Sequence, residues 1–233
     1  MTKNKKPGRS ILPGLTIILL IIAVEFYFPV LVTEQLTRAL TFNFHSTKEF
    51  SIKHKTIPAV KLLFGRIDNL VIEGSQIEAK PYKIDVFYLD ARRAKISLTD
   101  LLLKGRFTLK KAAGRVAFSF KEKELDNYLH RFYIDDPYNE LQLRLTEDGP
   151  RIEGKMDGIK IYLDAMFAVE KNSIICLNPR KMVSTSSNTQ KVMDKLKELS
   201  FFSLDLSVLG IPLIIDEVSI KDSSLYVFAT IGS

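Results

Sequence analysis

The hydrophobic residues of this chain follow two different periods. Residues 11–32 form an apolar run that a single acid interrupts. Helical spacing continues through residues 33–44, because Val32, Leu36 and Leu40 fall on one stripe. Beyond residue 50 the dominant period is two, which is typical of β-strands with one buried face. The pattern predicts a long N-terminal helix followed by a region of strands.

Turn signals divide the strand region into antiparallel hairpins. An Asp-Gly pair at residues 148–149 and an Asp-Ser pair at residues 222–223 each separate two alternating segments. Helical spacing returns twice, with apolar faces made by Leu125, Tyr128, Leu129 and Phe132, and by Val192, Leu196 and Leu199. The predicted fold class is α+β: an N-terminal transmembrane helix, then a mainly antiparallel, strongly curved β-sheet wrapped around or covered by a few amphipathic helices.

A short apolar motif occurs twice. The segments KLLFGRI (61–67) and LLLKGRF (101–107) share the order Leu-Leu-x-Gly-Arg-apolar. Pro58 suits the start of a helical turn, either Thr99 or Ser97 could cap the second one, and a glycine suits the end of each. Such short turns are not stable in water by themselves, so each must pack against something. Two interpretations stay open: plugs that close the end of the core, or direct contact with acyl chains.

The N-terminal residues determine the predicted location. A basic head, residues 1–10, precedes the apolar run, whose length is close to the roughly 20 residues that cross a bilayer. A cleaved signal peptide is the alternative, but no small-x-small cleavage site follows, and an interfacial exit does: Glu25, Phe26, Tyr27 and Pro29. We predict a cytoplasmic head (1–10), a transmembrane anchor (11–32), a helical extension (33–44) and one extracytoplasmic domain (45–233). The chain would be a single-pass protein of the cytoplasmic membrane.

Charge and candidate chemistry exclude several classes of protein. Residues 1–32 hold four basic residues against one acid, which leaves +4 of the net charge of +7 for the other 201 residues. This is too weak for a dedicated nucleic-acid binder. Cys176 has no disulfide partner, His45, His54 and His130 lack metal-ligand spacing, and Asp135 with Asp136 indicates a turn. No catalytic motif is present, so we predict no enzyme, metal or cofactor, although catalysis by dispersed residues stays open.

Several predicted strands are apolar on both faces. Residues 85–90, 116–120 and 225–231 carry bulky side chains at consecutive positions and need cover on two sides. The cover is either a second layer of structure or a curled sheet around an apolar channel that holds lipid. Residues 92–115 also contain eight basic residues against Asp100. These charges form either a solvated strand face or a site for an anionic headgroup.

The order of these segments resembles a bacterial family, the LmeA-like phospholipid-binding proteins. The matching pieces are the basic head and anchor, IPAVKLLFGRIDNLVIEG, KIDVFYLDARRAKISLTDLLLKGRF, RVAFSFKEKELDNYL, ELQLRLTEDGPRIEGKM and FFSLDLSVLGIPLIIDEVSIKDSSLYVFATI. The resemblance implies an envelope-located domain related to tubular lipid-binding folds, with a sheet around an apolar cavity that takes phospholipid. It implies no catalytic residues.

The resulting hypothesis is a membrane-anchored protein that binds phospholipid or a similar amphiphile, and presentation or transfer of that lipid stays open. The residues assigned to acyl chains are Val60, Leu63, Phe64, Leu101, Leu102, Leu103, Phe118, Phe120, Ile161 and Phe167. The residues assigned to the headgroup are Arg66, Lys104 and Arg106. The expected partners are the lipid and the membrane, with no nucleic acid. The alternative is a structural or regulatory envelope protein with a solid core that binds another protein.

Overall fold

The computed structural model describes residues 11–44, 50–132, 140–156, 159–183 and 202–232. It contains three α-helices, α1 (Ile11–Phe44), α2 (Leu98–Lys104) and α3 (Glu122–Phe132), within these ranges. Two 3-10 helices, Ala59–Phe64 and Leu206–Leu209, accompany them, and the first is called turn A below. The strands are β1 (Ser51–Lys55), β2 (Arg66–Ala79), β3 (Tyr82–Ile96), β4 (Leu109–Lys121), β5 (Gln142–Thr146), β6 (Gly149–Met156), β7 (Ile159–Glu170), β8 (Ile174–Val183), β9 (Phe202–Asp205), β10 (Leu213–Lys221) and β11 (Ser224–Ile231).

The strands form two sheets in which every pairing is antiparallel. The larger sheet has the order β1-β2-β3-β4-β11-β10, and the smaller one has the order β5-β6-β7-β8-β9. The α+β class, the curled antiparallel sheet and the N-terminal apolar helix are as predicted. The hairpins predicted at residues 148–149 and 222–223 join β5 to β6 and β10 to β11. At the second turn Asp222 and Ser223 both have positive φ, the conformation of a tight hairpin turn.

The inner half of α1 packs into the core. The predicted stripe of Val32, Leu36 and Leu40 is buried, with at most 1% of each residue exposed. These side chains belong to one hydrophobic cluster with residues of both sheets, such as Leu70 and Ile161. Because residues four apart lie on one face of a helix, a single stripe brings the whole segment against the strands. The segment 33–44, expected to be an extension before the domain, therefore forms part of its core.

Helix α3 lies where one of the two amphipathic helices was predicted. Leu125, Tyr128 and Leu129 are buried. Two carboxylates of α3 accept backbone N–H bonds from the edge strand β5, Asp126 from Leu143 and Glu122 from Leu145, both at 2.7 Å. These bonds satisfy donors that an edge strand leaves unpaired. The side chain of Phe132 and the predicted helix 188–200, with Val192, Leu196 and Leu199, lie outside the described residues.

Two tyrosines connect the sheets. The hydroxyls of Tyr82 on β3 and Tyr128 on α3 both donate to the carbonyl of Ser203 on β9, and the Tyr82 oxygen accepts from the Asp205 N–H at 2.7 Å. The two rings contact each other edge to face. Burial, followed by the contact with Tyr82, raises the pKa of Tyr128. The junction is therefore a polar group within an apolar interface, with its hydrogen bonds made.

Candidate membrane-facing site

The outer half of α1 exposes large apolar side chains on all sides. Eight of them are more than half exposed: Leu15, Ile17, Ile18, Leu19, Ile21, Phe26, Tyr27 and Val30. The segment Gly14–Phe42 is long and apolar enough to cross a membrane, and only the described residues were considered. A helix that is apolar on every side requires an apolar surrounding. Val32 is the first fully buried residue of the described side chains of α1, and the stripe that enters the core begins there, while Phe42 on the other side of the helix stays exposed.

Turn A presents apolar residues on its outer side. Gly65 ends it in the left-handed region, with its N–H bonded to the Leu62 carbonyl, as the motif predicted. Pro58, expected at the first helical position, instead precedes the turn in an extended conformation as its N-cap. Ala59 and Leu62 are buried. The opposite side is exposed and carries three residues assigned to acyl chains: Val60, Leu63 and Phe64, the last with 68% of its surface accessible.

Hydrogen bonds fix turn A to α1 and to β2. The carboxylate of Glu25 accepts the Ala59 N–H at 2.8 Å. Asp68 on β2 accepts the Ile57 N–H at 3.0 Å and contacts the Lys61 ammonium. The bond from Ile57 and then the bond from Lys61 lower the pKa of Asp68 below its usual range. The start of β2 is therefore held beside the point where α1 leaves its exposed half.

Helix α2, the second copy of the motif, begins beside turn A. Its N-cap is Ser97, whose side chain accepts the Asp100 N–H at 3.4 Å, and Gly105 ends it in the left-handed region. The Ile96 N–H donates to the Gly65 carbonyl at 2.8 Å. A Cβ on Gly65 would lie 2.4 Å from the Ile96 carbonyl oxygen, so only glycine fits here. The two copies thus meet at one end of the β2–β3 pair, and Leu102 and Leu103 are exposed, Leu103 by 80%.

The residues assigned to the headgroup lie around these two turns. Arg66 follows turn A directly and is exposed. Lys104 forms an ion pair with Asp100 at 2.8 Å, and the bonds from Lys104 and then Ser97 lower the pKa of Asp100. Arg106 is exposed and borders an open cleft of about 390 Å³ with Lys80 and Phe107.

The other residues assigned to acyl chains lie inside the protein. Leu101, Phe118, Phe120 and Ile161 are at most 1% exposed and belong to the hydrophobic cluster that contains the inner half of α1. Phe167 is partly buried against the same cluster. An acyl chain could reach Leu101, Phe118, Phe120 and Ile161 only by displacing the core around them. Val60, Leu63, Phe64, Leu102 and Leu103 are accessible as they stand.

The other candidate residues belong to no group of metal-binding side chains in the described ranges. No group of three or more His, Cys, Asp and Glu side chains there could hold a metal ion. His54 is half-buried, with Nε2 at 2.8 Å from the Thr33 hydroxyl and 3.2 Å from the Pro29 carbonyl. Cys176 is buried, and burial raises the pKa of its thiol. His45, Asp135 and Asp136 lie outside the described residues.

Sequence reasoning missed the role of Glu25. The sequence indicates only an interfacial exit at Glu25. Its hydrogen-bond partner, the Ala59 N–H, is 34 residues away along the chain, and no sequence motif connects the two residues. The comparisons with known proteins give no match: no family model, no curated protein and no solved structure matches this chain.

Proposed function

We propose that this protein is a membrane-anchored, extracytoplasmic domain that binds phospholipid at the surface of the bilayer in which α1 is inserted. The observation that carries the proposal is the attachment of turn A, with its exposed apolar side, to Glu25 of α1. The resemblance to the LmeA-like family and the basic head at residues 1–10, which favours a cytoplasmic N-terminus, support the same conclusion.

The length of the apolar run gives the depth of turn A. About 20 helical residues cross the hydrocarbon, and counted from Ile11 they end near Val30. Glu25 then lies about 7 Å inside that end, at 1.5 Å per residue. A carboxylate at this depth needs a donor, and the Ala59 N–H supplies one. Turn A is therefore expected at the boundary between acyl chains and headgroups, where Phe64 would lie among the acyl chains.

The burial of Leu101, Phe118, Phe120 and Ile161 favours binding at this surface over a cavity around those residues. The accessible apolar residues of turn A and α2 would pack against the acyl chains of the outer leaflet. A single helix runs from the exposed half of α1 into the core, so the domain has no linker that would let it leave the membrane. Local binding and presentation of lipid fit this arrangement better than transport over a distance.

The absence of tryptophan from the sequence permits a direct test. A Phe64→Trp variant of the full chain, placed in vesicles of phosphatidylcholine with brominated acyl chains, should show strong quenching of its fluorescence. The matched control is Tyr88→Trp, an exposed aromatic on β3, which should show little quenching. Equal quenching at the two positions, or none at position 64, would refute the membrane contact. Mass spectrometry of lipid retained by the full chain after gentle extraction would then test binding itself.

The second candidate is a scaffold that binds another protein. One observation favours it: Tyr88 and Phe228 are exposed on the outer face of the larger sheet, beside a cleft of about 630 Å³ that also contains Arg115 and Glu217. A photoreactive amino acid placed at residue 88 or at residue 64 in cells would separate the candidates. Cross-links to lipid at 64 support the first, and a single protein cross-linked at 88, with no lipid at 64, supports the second.

A further inference from the structure

Three cations stand directly opposite one another on neighbouring strands. Arg66 on β2 pairs with Lys95 on β3, and Lys95 pairs with Lys111 on β4. All three residues are exposed. Neighbouring strands lie about 5 Å apart, so the three residues form a short line across the sheet, called the cation row below.

The cation row has no internal partner among the described residues. No carboxylate in those ranges lies within ion-pair distance of Arg66, Lys95 or Lys111. Like charges directly opposite on antiparallel strands repel and destabilise a sheet. Two other exposed lysines of the larger sheet have a carboxylate partner, Lys83 in Glu124 and Lys121 in Asp85. Single exposed lysines such as Lys53 and Lys221 have no ion pair within the described residues, but neither stands directly opposite another cation. An anion that lies against the row would relieve this repulsion.

An irregularity in β3 produces the row. The register of β3 against β4 shifts between Arg92 and Lys95, and Arg93 has a φ of 50°, which is uncommon for a residue other than glycine. Arg92 and Arg93 are both exposed, whereas strict alternation would bury one of them. The shift leaves Ala94 buried and Lys95 exposed opposite Lys111. A bulge re-aims side chains in this way, and here it collects cations on one face.

The position of the row indicates the anion. Arg66 follows Gly65, the residue that ends turn A, and Lys95 lies two residues before Ser97, the N-cap of α2. The row is therefore the first outward-facing line of the sheet beside the two exposed apolar turns. If turn A lies at the acyl-chain boundary, the row lies at the depth of the lipid phosphates. Arg and Lys both bind phosphate oxygens through charge-assisted hydrogen bonds.

We propose that Arg66, Lys95 and Lys111 bind the phosphate groups of anionic phospholipids, so that the protein gathers anionic lipid around its anchor. This inference rests on the proposed function, because it requires the apolar turns to lie in the leaflet. It adds two residues, Lys95 and Lys111, to the headgroup site, and it assigns the class of lipid.

The test uses the full chain in nanodiscs of equal parts phosphatidylcholine and phosphatidylglycerol. The lipids retained after gentle extraction are measured by mass spectrometry. The row variant carries Arg66→Gln, Lys95→Gln and Lys111→Gln. The matched control removes the same charges from other exposed cations: Arg180→Gln, Lys181→Gln and Lys221→Gln. We expect the row variant to lose the enrichment in phosphatidylglycerol by about fivefold or more, and the control to keep it.

Each remaining outcome decides the proposal. Unchanged enrichment in the row variant, or equal loss in both variants, overturns it, because the row would then be unnecessary or only net charge would matter. Binding of millimolar inorganic phosphate to the row in detergent, together with no enrichment of phosphatidylglycerol in nanodiscs, would assign the row to free phosphate and also overturn the proposal. The midpoint temperature of thermal unfolding should be unchanged or higher in the row variant, because like-charge repulsion is removed. A lower midpoint would assign the row a structural role. Failure of Phe64→Trp quenching, measured separately, identifies failure of the membrane contact itself.

Discussion

The inner half of α1 should be indispensable for folding of the domain. Val32, Leu36, Leu40 and Phe44 are buried in the core, and full burial of such side chains contributes about 1.5–3 kcal/mol each. Their combined contribution is about 6–12 kcal/mol, an upper estimate because unfolded chains already bury part of this surface. Whole domains are stable by about 5–15 kcal/mol. A chain that begins at residue 45 should therefore not fold, whereas a chain that begins at Pro29 should.

Circular dichroism and urea unfolding in a mild detergent would check this. The chain that begins at Pro29 should unfold in one cooperative transition, and the chain that begins at residue 45 should show none. Within the longer chain, Leu36→Ala should lower the free energy of unfolding by about 2–5 kcal/mol. Phe42→Ala is the control on the same helix, since Phe42 is 75% exposed, and its effect should stay within about 0.5 kcal/mol. Cooperative unfolding of the chain that begins at residue 45, or equal effects of the two substitutions, would refute the reasoning.

Three further predictions concern the sheet, the acid limit and the tyrosine junction. Gly114→Ala should destabilise the protein by about 1–3 kcal/mol in the same unfolding assay, because a Cβ there would lie 2.1 Å from the Asp90 carbonyl oxygen. Gly232→Ala is the control and should be neutral, since its Cβ would make only ordinary contacts of 3.6 Å or more. Because the pKa of Asp68 is lowered in the fold, its carboxylate stabilises the protein above its unfolded pKa, and this contribution is lost as pH falls through the folded pKa. The free energy of unfolding of Asp68→Asn should therefore decrease less than that of the unmodified protein below about pH 4. The raised pKa of Tyr128 has the opposite effect on the pH dependence: the neutral hydroxyl stabilises the fold below its unfolded pKa of about 10, and this contribution is lost as pH rises further. Absorbance titration should show a tyrosine that ionises only when the protein unfolds, and this signal should be missing in Tyr128→Phe.

The continuity of α1 connects its exposed apolar half to the proposed site. One helix carries the exposed apolar half, Glu25, and the buried stripe from Val32. Turn A is bonded to the first part, and the sheets pack on the second. Under the proposed function, in which the exposed half of α1 spans the membrane, this connection would fix the orientation of the domain relative to the bilayer, which is the condition for presenting the cation row to the headgroups.

The sequence by itself determined the local elements. The stripe of Val32, Leu36 and Leu40, the amphipathic face of α3 and the two glycine-terminated turns were predicted because each depends on neighbours within a few residues. Side-chain spacing and the conformational freedom of Gly65 are properties of the chain alone, and they do not depend on the fold around them.

Only the tertiary structure decided which apolar residues are accessible. Phe118 and Phe64 are equally apolar in the sequence, yet one is buried in the core and the other is exposed beside α1. The sequence likewise could not predict the division into two sheets or the bond from Ala59 to Glu25. Nor could it predict the line of Arg66, Lys95 and Lys111 across the larger sheet. Each depends on pairing between residues distant in the chain, and the shift at Arg93 changes which side chains face outward. Alternation predicts that a strand has two faces, whereas the register against its neighbours fixes what those faces meet.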